Sequence, residues 1–186
     1  MTKALIVGDL HLGKGVSIGR PGVGNALNSR VADQIKLLEW VSDQAVDNDI
    51  NHIIMTGDIC QDSKPDYVLI QMFIEFLKKL ESNNISVEII AGNHDIKRTG
   101  YYYKSFLDII TAAELPFVNI RKHISTLLLD GIGITLLPFR DRRSLNCKLD
   151  TDAFQIISSM LTYELEFIPS TFKRILIGHQ ALKGSI

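Results

Sequence analysis

Residues 87–95, Val87-Glu88-Ile89-Ile90-Ala91-Gly92-Asn93-His94-Asp95, form an apolar run of strand length that passes through a glycine into three metal-binding residue types. The same arrangement occurs three more times in the 186-residue chain. Apolar runs at 4–7, 53–55 and 175–177 lead into Gly8-Asp9-Leu10-His11, Gly57-Asp58 and Gly178-His179. Ligands of open α/β sheets bind at the carboxyl ends of the strands. The repeated pattern therefore predicts one site at the tips of neighbouring strands.

The bulk composition excludes several classes of protein. Hydrophobic residues make up 46% of the chain and charged residues 22%, which is typical of a globular domain. The formal net charge of -1 excludes a uniformly basic nucleic-acid clamp but leaves room for a local basic patch. No apolar run approaches the roughly 18 residues of a membrane span. Asp9 and His11 come too early for a secretory signal, and Cys60 and Cys147 lack zinc-finger spacing, so a reducing, cytoplasmic setting is expected.

Two amphipathic helices are predicted between the first three strands. One ends near Asn48 and has Asn25 or Asn28 as its cap, and the other covers residues 65–82. Their expected inward positions are Val31, Ile35, Leu38, Val41 and Ala45 on the first helix and Val68, Met72, Phe76 and Leu80 on the second. A β-α-β-α-β order with crossover helices of this length predicts a parallel sheet.

The pattern changes in the second half of the chain. Residues 103–113 predict a third helix, and residues 151–165 predict a fourth. Between them, the apolar runs 125–129 and 132–137 flank Asp130-Gly131, which is a hairpin turn signal. The fourth helix is expected to place Phe154, Ile157, Leu161 and Leu165 on one side. A last strand over residues 174–177 then leads into Gly178-His179.

The side chains that follow these strands are suited to hold two divalent cations. Asp9 and His11 are one residue apart, so both point to the same face of an extended segment. The two oxygens of Asp58 can bridge two cations, while Asn93 and His179 offer an amide oxygen and an imidazole. Nitrogen and oxygen ligands without thiolate favour Mn²⁺, Fe or Zn²⁺.

Such a pair of metals would suit chemistry at phosphorus. Two cations roughly 4 Å apart can activate a water and clamp both oxygens of an in-line displacement. His94 is placed to protonate the leaving oxygen, and Asp95 to orient the His94 imidazole. A single Gly-Asp or Gly-His after a strand is common in turns, but four such sites in chain order favour a metal centre.

The calcineurin-like metallophosphoesterases carry successive motifs that resemble Asp9-Leu10-His11, Gly57-Asp58, Gly92-Asn93-His94-Asp95 and Gly178-His179. Within that superfamily, three segments are similar to the SbcD-type DNA exonucleases and to phage recombination nuclease subunits. These are Asp9-Leu10-His11-Leu12-Gly13, Leu136-Leu137-Pro138-Phe139 and Ile177-Gly178-His179-Gln180-Ala181-Leu182-Lys183-Gly184. The family's serine/threonine phosphatases usually carry an arginine after the second motif, and Asp58-Ile59-Cys60-Gln61-Asp62 lacks it.

The resemblance implies a fold and a set of roles. The fold is a four-layer α/β/β/α sandwich in one domain, residues 1–186. By resemblance, Asp9 and His11 hold the first metal, Asp58 bridges, Asn93 and His179 hold the second metal, and His94 is the catalytic histidine. The implied cofactors are two divalent ions, Mn²⁺ first, with Mg²⁺, Fe or Zn²⁺ as alternatives. Gln61 or Asp62 occupies the region where the nuclease branch often has a further histidine.

One family motif is absent from the 186 residues. The family completes its site with a later Gly-His-x-His that gives one ligand to each metal, and the sequence stops seven residues after His179. The expectation is a truncated nuclease domain without the closing strands of the second sheet and the cap domain. Weak metal affinity and low activity are then expected, unless another chain donates ligands.

Basic residues near the motifs leave two interpretations open. Arg140, Arg142 and Arg143 form a short charge-rich turn with Asp141, which is either a solvated loop or a contact for backbone phosphates. A basic rim around the metals would also include Lys14, Arg20, Lys97 and Arg98. Tyr101-Tyr102-Tyr103 either stack on bases or pack at a helix start.

Three functions are compatible with these features. The leading hypothesis is a metal-dependent DNA exonuclease or endonuclease subunit of repair or recombination, with an SMC-like ATPase subunit as partner and a homodimer admitted. The second is a phosphatase or phosphodiesterase for small molecules or nucleotides, because the core motifs alone permit it equally. The third is a non-catalytic scaffold that keeps the fold but has lost its metals.

Overall fold

The computed structural model describes residues 2–13, 19–20, 28–99 and 102–180. In chain order the elements are β1 (Ala4–Val7), α1 (Ser29–Asp47), β2 (His52–Met55), α2 (Tyr67–Ser82), β3 (Ser86–Ile90), β4 (Ile96–Thr99), β5 (Tyr102–Ser105), α3 (Leu107–Ala112), β6 (Val118–Arg121), β7 (Ser125–Leu129), β8 (Ile132–Leu137), α4 (Asp150–Glu166) and β9 (Lys173–Gly178). Several sequence predictions lie outside the described residues or side chains: those on Lys14, Asn25, Tyr101, residues 181–184, and the side chains of Arg98, Tyr102 and Tyr103.

A four-stranded parallel sheet forms the centre of the fold, as the β-α-β-α-β order predicts. Its strand order is β1-β2-β3-β6, with every neighbouring pair parallel. Alternate residues of the central strands, such as Ile53 and Val87, share a buried core with Leu38 of α1 and Phe73 of α2. The two helices therefore cover one face of this sheet and hold its strands in register.

The other face of the parallel sheet packs on a second sheet of order β7-β8-β9. Ile54 and Ile90 of the first sheet meet Ile134, Leu136 and Ile177 of the second in a separate buried cluster. Helix α4 connects β8 to β9, which are parallel neighbours, and packs on β7 and β8. The layers are thus helix, sheet, sheet and helix, and the predicted α/β/β/α sandwich is confirmed.

Helix α1 begins where the sequence predicts, whereas α2 buries only part of its predicted stripe. The Asn28 side chain accepts from the Arg30 N–H at 3.0 Å and caps α1. The buried residues of α2 are Leu69, Phe73, Phe76, Leu77 and Leu80, and Val68 and Met72 are only half-buried. The stripe prediction is confirmed at Phe76 and Leu80 and wrong at Val68 and Met72, because α2 is apolar on several sides and periodicity alone does not choose its buried face.

The predicted helix over residues 103–113 was partly wrong. Its first residues belong to β5, which pairs with β4 in a two-stranded antiparallel hairpin, and α3 is confined to Leu107–Ala112. Tyrosine favours strands, and the pairing of β5 with Ile96–Thr99 of β4 overrides the weak helical periodicity. Strand β6 was not predicted. The hairpin of β7 and β8 around Asp130-Gly131 is confirmed with its predicted bounds.

Helix α4 lies close to its predicted span but buries little of itself. Ala153 is its buried residue, Ile157 and Leu161 are half-buried, and Phe154 and Leu165 are exposed. The expectation that Phe154 and Leu165 belong to the inward side is therefore wrong, because α4 packs on a narrow sheet. No helix in the described ranges is long and apolar enough to cross a membrane.

Truncation of Phe73 tests the core between the parallel sheet and its helices. The Phe73 side chain is fully buried, so Phe73→Ala should lower the free energy of unfolding by about 3–5 kcal/mol. Phe154→Ala removes the same ring from a position that is 72% exposed, and should change the free energy of unfolding by less than about 0.5 kcal/mol. Urea unfolding followed by circular dichroism measures both, and equal losses would contradict this packing.

Candidate metal centre

The loops that follow β1 and β2 run side by side beyond the end of the sheet. The Thr56 N–H donates to the Val7 carbonyl at 2.9 Å, and the His11 N–H donates to the Asp58 carbonyl at 2.9 Å. Leu12 and Cys60 continue this pairing as an isolated parallel bridge. The backbone therefore fixes the first two motifs next to each other before any side chain is considered.

The second sheet brings the last motif to the same place. The His179 N–H donates to the Leu137 carbonyl at 3.0 Å, and the Phe139 N–H donates to the Ala91 carbonyl at 2.8 Å. The Gln180 side chain also donates to the Pro138 carbonyl at 3.1 Å. These contacts join the ends of β8 and β9 to the end of β3. The segment around Pro138, singled out by the sequence, thus positions the His179 motif.

Three of the predicted ligands have a backbone conformation that is rare for residues other than glycine. The φ angles of Asp9, His11 and Asp58 are 49°, 46° and 48°. A left-handed residue costs roughly 1–2 kcal/mol, and such strain is concentrated at functional sites. This conformation corrects the prediction that Asp9 and His11 share one face of an extended segment. Their side chains fall in different groups of potential ligands.

The glycines of the second and third motifs allow the two loops to approach closely. A Cβ on Gly92 would lie 2.2 Å from both the backbone nitrogen and Oδ1 of Asp58. Gly57 has a φ of 98°, and a Cβ there would lie 2.8 Å from Nδ1 of His179. No larger residue fits between these groups, so the glycines are required by contact with the ligand side chains.

Two groups of potential ligands converge, and Asp58 is common to both. One group is His11, Asp58 and His94, and the other is Asp9, Asp58 and His179. Within each group the donor atoms lie within 4.8 Å of one another. Oδ2 of Asp58 lies 3.7 Å from Nε2 of His11 and 3.4 Å from Nε2 of His179. The structure thus places the Asp58 carboxylate between two imidazoles.

The surroundings of His179 fit a bound cation. Its Nδ1–H donates to the Thr56 carbonyl at 2.9 Å, which leaves a lone pair on Nε2. Nε2 lies 2.9 Å from Oδ1 of Asn93 and 3.4 Å from Oδ2 of Asp58. Three potential electron-pair donors therefore lie close together, and a cation would stabilise this arrangement. Their imidazole, carboxylate and amide atoms suit Mn²⁺, Fe or Zn²⁺.

The remaining ligands give a second observation in favour of a cation. Nδ1 of His11 is buried and has no hydrogen-bond partner among the described residues. Nε2 of the same ring lies 3.7 Å from Oδ2 of Asp58, so His11 would offer Nε2 to a cation that it shares with Asp58, and a water would satisfy Nδ1. The Asp9 side chain is 65% exposed, and its Oδ1 lies 3.9 Å from Nδ1 of His179. The residues present therefore fit a centre that holds two cations.

His94 is held at the edge of this centre by two backbone contacts. Its N–H donates to Oδ1 of Asp58 at 2.9 Å, and its Nδ1–H donates to the Gln61 carbonyl at 2.7 Å. With Nδ1 engaged, Nε2 is the nitrogen left for a ligand or a proton. The rings of His94 and His11 stand edge to face with centroids 5.0 Å apart. The imidazole is therefore oriented before any substrate binds.

Asp95 does not orient His94, which corrects the role predicted for it. The Asp95 carboxylate is fully buried and accepts from the Gly92 N–H at 2.8 Å and the Cys60 N–H at 3.2 Å. Burial raises the pKa of Asp95, and these N–H donors oppose the rise. Asp95 therefore ties the loop of the third motif to that of the second. The orienting contact to His94 comes instead from Gln61.

The sequence reasoning missed several groups that position the ligands. Gln34 of α1 is buried, donates to the His11 carbonyl at 3.0 Å, and accepts from the Gly13 N–H at 3.0 Å. A polar residue at an inward position of α1 was the available signal. Thr56 and Gln61 contribute backbone carbonyls, which every residue type has, so the sequence does not reveal their contacts with His179 and His94.

The arginines after β8 lie in a loop of their own contacts. Arg140 donates to the carbonyls of Phe139 and Lys122. Arg142 donates to the Lys148 carbonyl at 3.3 Å and pairs with Asp150 at 3.7 Å, and Arg143 is exposed. A contact of these three residues with phosphate stays a prediction.

Comparison with known proteins identifies the family of this chain. The family model for calcineurin-like phosphoesterases matches residues 2–182, so the chain belongs to the calcineurin-like phosphoesterase family. Members of this family use divalent metals, which agrees with the donor groups described above.

Two archaeal relatives are each 27% identical to the chain. One is the DNA double-strand break repair protein Mre11 of Nanoarchaeum equitans, aligned over 96% of this chain and 49% of that protein. The other is the protein of the same name from Saccharolobus solfataricus, aligned over 98% of this chain and 42% of that protein. The chain thus spans less than half the length of these relatives.

A crystal structure of a dimetal phosphatase from Danio rerio is similar to part of the fold. The match covers 84% of this chain and 51% of the phosphatase chain, at 11% identity and a TM-score of 0.48.

The shared position of Asp58 predicts a difference between two variants. Asp58→Asn keeps an oxygen for the His94 N–H but removes the charge common to both groups, so binding at both sites should weaken by at least roughly tenfold. His11→Ala removes a ligand from one group and should weaken one site alone. Titration with Mn²⁺, followed by the electron paramagnetic resonance of the free ion, counts the sites. Loss of both sites in His11→Ala would contradict two distinct groups.

Proposed function

We propose that this chain is a metal-dependent nuclease domain, residues 1–186, that hydrolyses phosphodiester bonds in DNA. The observation that carries the proposal is the Asp58 carboxylate, which belongs to two ligand groups with the oriented His94 imidazole beside it. The proposed metal ligands are Asp9, His11, Asp58, Asn93 and His179. Manganese is the proposed metal, since nitrogen and oxygen donors of this kind suit it.

The chemistry proposed for this site follows from the positions of its side chains. Cations bound there would supply an activated water and neutralise charge on an in-line displacement at phosphorus. His94 would donate the proton of Nε2 to the oxygen that leaves phosphorus, because Nδ1 is engaged by the Gln61 carbonyl. Asp95 and Gln34 would hold the ligand loops in place through their backbone contacts.

The choice of DNA as the substrate rests on the relatives and on the branch-specific motifs. The relatives that align with nearly the whole chain are named as DNA double-strand break repair proteins. Asp9-Leu10-His11-Leu12-Gly13 resembles the corresponding segment of SbcD-type nucleases, and the same resemblance supports an ATPase subunit as a partner. Arg140, Arg142 and Arg143 are proposed to contact backbone phosphates.

A comparison of two substrates tests both the activity and the role of His94. The alkoxide that leaves a DNA phosphodiester needs a proton, whereas p-nitrophenolate leaves without one. His94→Ala should therefore slow Mn²⁺-dependent cleavage of linear duplex DNA by roughly 10²–10⁴-fold. Hydrolysis of bis(p-nitrophenyl) phosphate by the same variant should fall by less than about tenfold. Initial rates with and without EDTA provide the measurement.

The matched control is His52→Ala, because His52 begins β2 at the end of the sheet opposite the metal centre. It should leave both rates unchanged. Equal losses on both substrates in His94→Ala would show that His94 acts as a metal ligand rather than as an acid. Turnover of the small diester without any cleavage of DNA would overturn the proposed substrate.

A further inference from the structure

A cavity of about 420 Å³ lies beside the metal centre, at the same edge of the sandwich. Its lining includes Ala91 after β3, Lys122 and His123 after β6, and Arg140 after β8. In the parallel sheet, β6 neighbours β3 on the side away from β2, so the cavity lies next to the metal centre and not within it. Open α/β sheets bind ligands at the carboxyl ends of their strands. The cavity therefore occupies a place where this kind of fold holds ligands.

The cavity and the metal centre share the loop of the third motif. Ala91 lines the cavity and directly precedes Gly92-Asn93. The Phe139 N–H donates to the Ala91 carbonyl at 2.8 Å, and the Phe139 ring meets that of His179 edge to face with centroids 6.5 Å apart. The next residue, Arg140, belongs to the lining of the cavity. A DNA strand held at the metal centre would therefore have this cavity as its neighbour.

One part of the cavity lining is apolar. This apolar wall consists of Ala91, Ile96, Leu145 and Met160. Sites for small organic ligands are mostly apolar and carry a few charged or polar groups that fix the orientation of the ligand. The face of a nucleobase is buried favourably against such a wall, whereas a bare phosphate would leave the wall unused.

Another part of the lining is positively charged. This basic rim consists of Lys122, His123 and Arg140. Lys122 pairs with Asp108, and Arg140 donates to the Lys122 carbonyl, so both cations are held in place. Asp108 is the one carboxylate among the described residues that line the cavity, so positive charge is in excess. Lysine and arginine bind phosphate through charge-assisted hydrogen bonds, whereas a divalent cation would need more oxygen ligands than this carboxylate.

A ligand that fits both parts of the lining carries a phosphate next to an apolar ring. We propose that the cavity binds the terminal nucleotide of a DNA strand, with the phosphate at the basic rim and the base at the apolar wall. The next phosphodiester bond of that strand then lies at the metal centre. The choice of DNA rests on the proposed function, whereas the binding of a nucleotide in the cavity does not.

Calorimetric titration of thymidine monophosphate into the chain in EDTA tests the cavity by itself. Without cations, the carboxylates of Asp9 and Asp58 repel a phosphate from the metal centre. Thymidine monophosphate should bind at least roughly tenfold more tightly than thymidine or inorganic phosphate, because each of these lacks one half of the ligand. Circular dichroism checks that the chain stays folded in EDTA.

Two substitutions in the lining should each weaken the binding of thymidine monophosphate by at least roughly tenfold. His123→Glu places a carboxylate at the basic rim, and Met160→Glu places one on the apolar wall. Both side chains are exposed, Met160 by 43%, so neither substitution should prevent folding.

The matched controls are Lys148→Glu and Phe154→Glu, which alter exposed side chains outside the lining. Both should bind thymidine monophosphate within twofold of the unmodified chain. Lys148→Glu replaces a positive charge by a negative one, whereas His123→Glu replaces a neutral imidazole. An effect of net charge alone would therefore be larger in Lys148→Glu than in His123→Glu.

No binding of thymidine monophosphate, equal binding of thymidine or inorganic phosphate, or equal losses in His123→Glu and Lys148→Glu would each overturn the nucleotide site. A single-stranded thymidine oligonucleotide should compete with the mononucleotide, and failure to compete would overturn the assignment to a DNA strand. A chain that binds the nucleotide in EDTA but cleaves no DNA with Mn²⁺ would contradict the proposed function alone. The two failures are therefore distinguishable.

Discussion

The Asp58 carboxylate is the group on which the rest of the site depends. Burial of a charged group is costly unless it is compensated, and Asp58 is 4% exposed. One of its oxygens accepts from the His94 N–H, and the other faces the imidazoles of His11 and His179. These neighbours come from loops that follow β1, β3 and β9. A single side chain after β2 thereby joins the two sheets at their ligand-bearing edge.

The backbone around Asp58 is organised to hold this arrangement. The left-handed conformations at Asp9, His11 and Asp58 store strain, which the surrounding hydrogen bonds offset. The His11 N–H and the Asp95 carboxylate each join two motif loops. Gly57 and Gly92 let those loops approach within contact distance. The scaffold therefore holds the ligand loops together through these backbone contacts.

Much of the fold was predictable because hydrophobic periodicity reports directly on burial. The hairpin of β7 and β8 and the span of α1 follow from a turn signal, a cap and regular spacing. The predictions failed where one pattern fits two structures. Helix α2 is apolar on more than one side, and residues 102–105 pair with β4 despite a helical spacing. In both cases packing against a neighbouring element decided which structure forms.

The sequence by itself determined which residues can serve as ligands, their order along the chain and the resemblance to a phosphoesterase family. Only the tertiary structure decided that Asp9 and His179 lie close together beside Asp58, that Asp95 supports the ligand loops, and that Gln61 orients His94. The physical reason is that these relations depend on backbone carbonyls, amides and φ angles. Such groups are common to every residue type, so no pattern of side chains reveals which of them will meet.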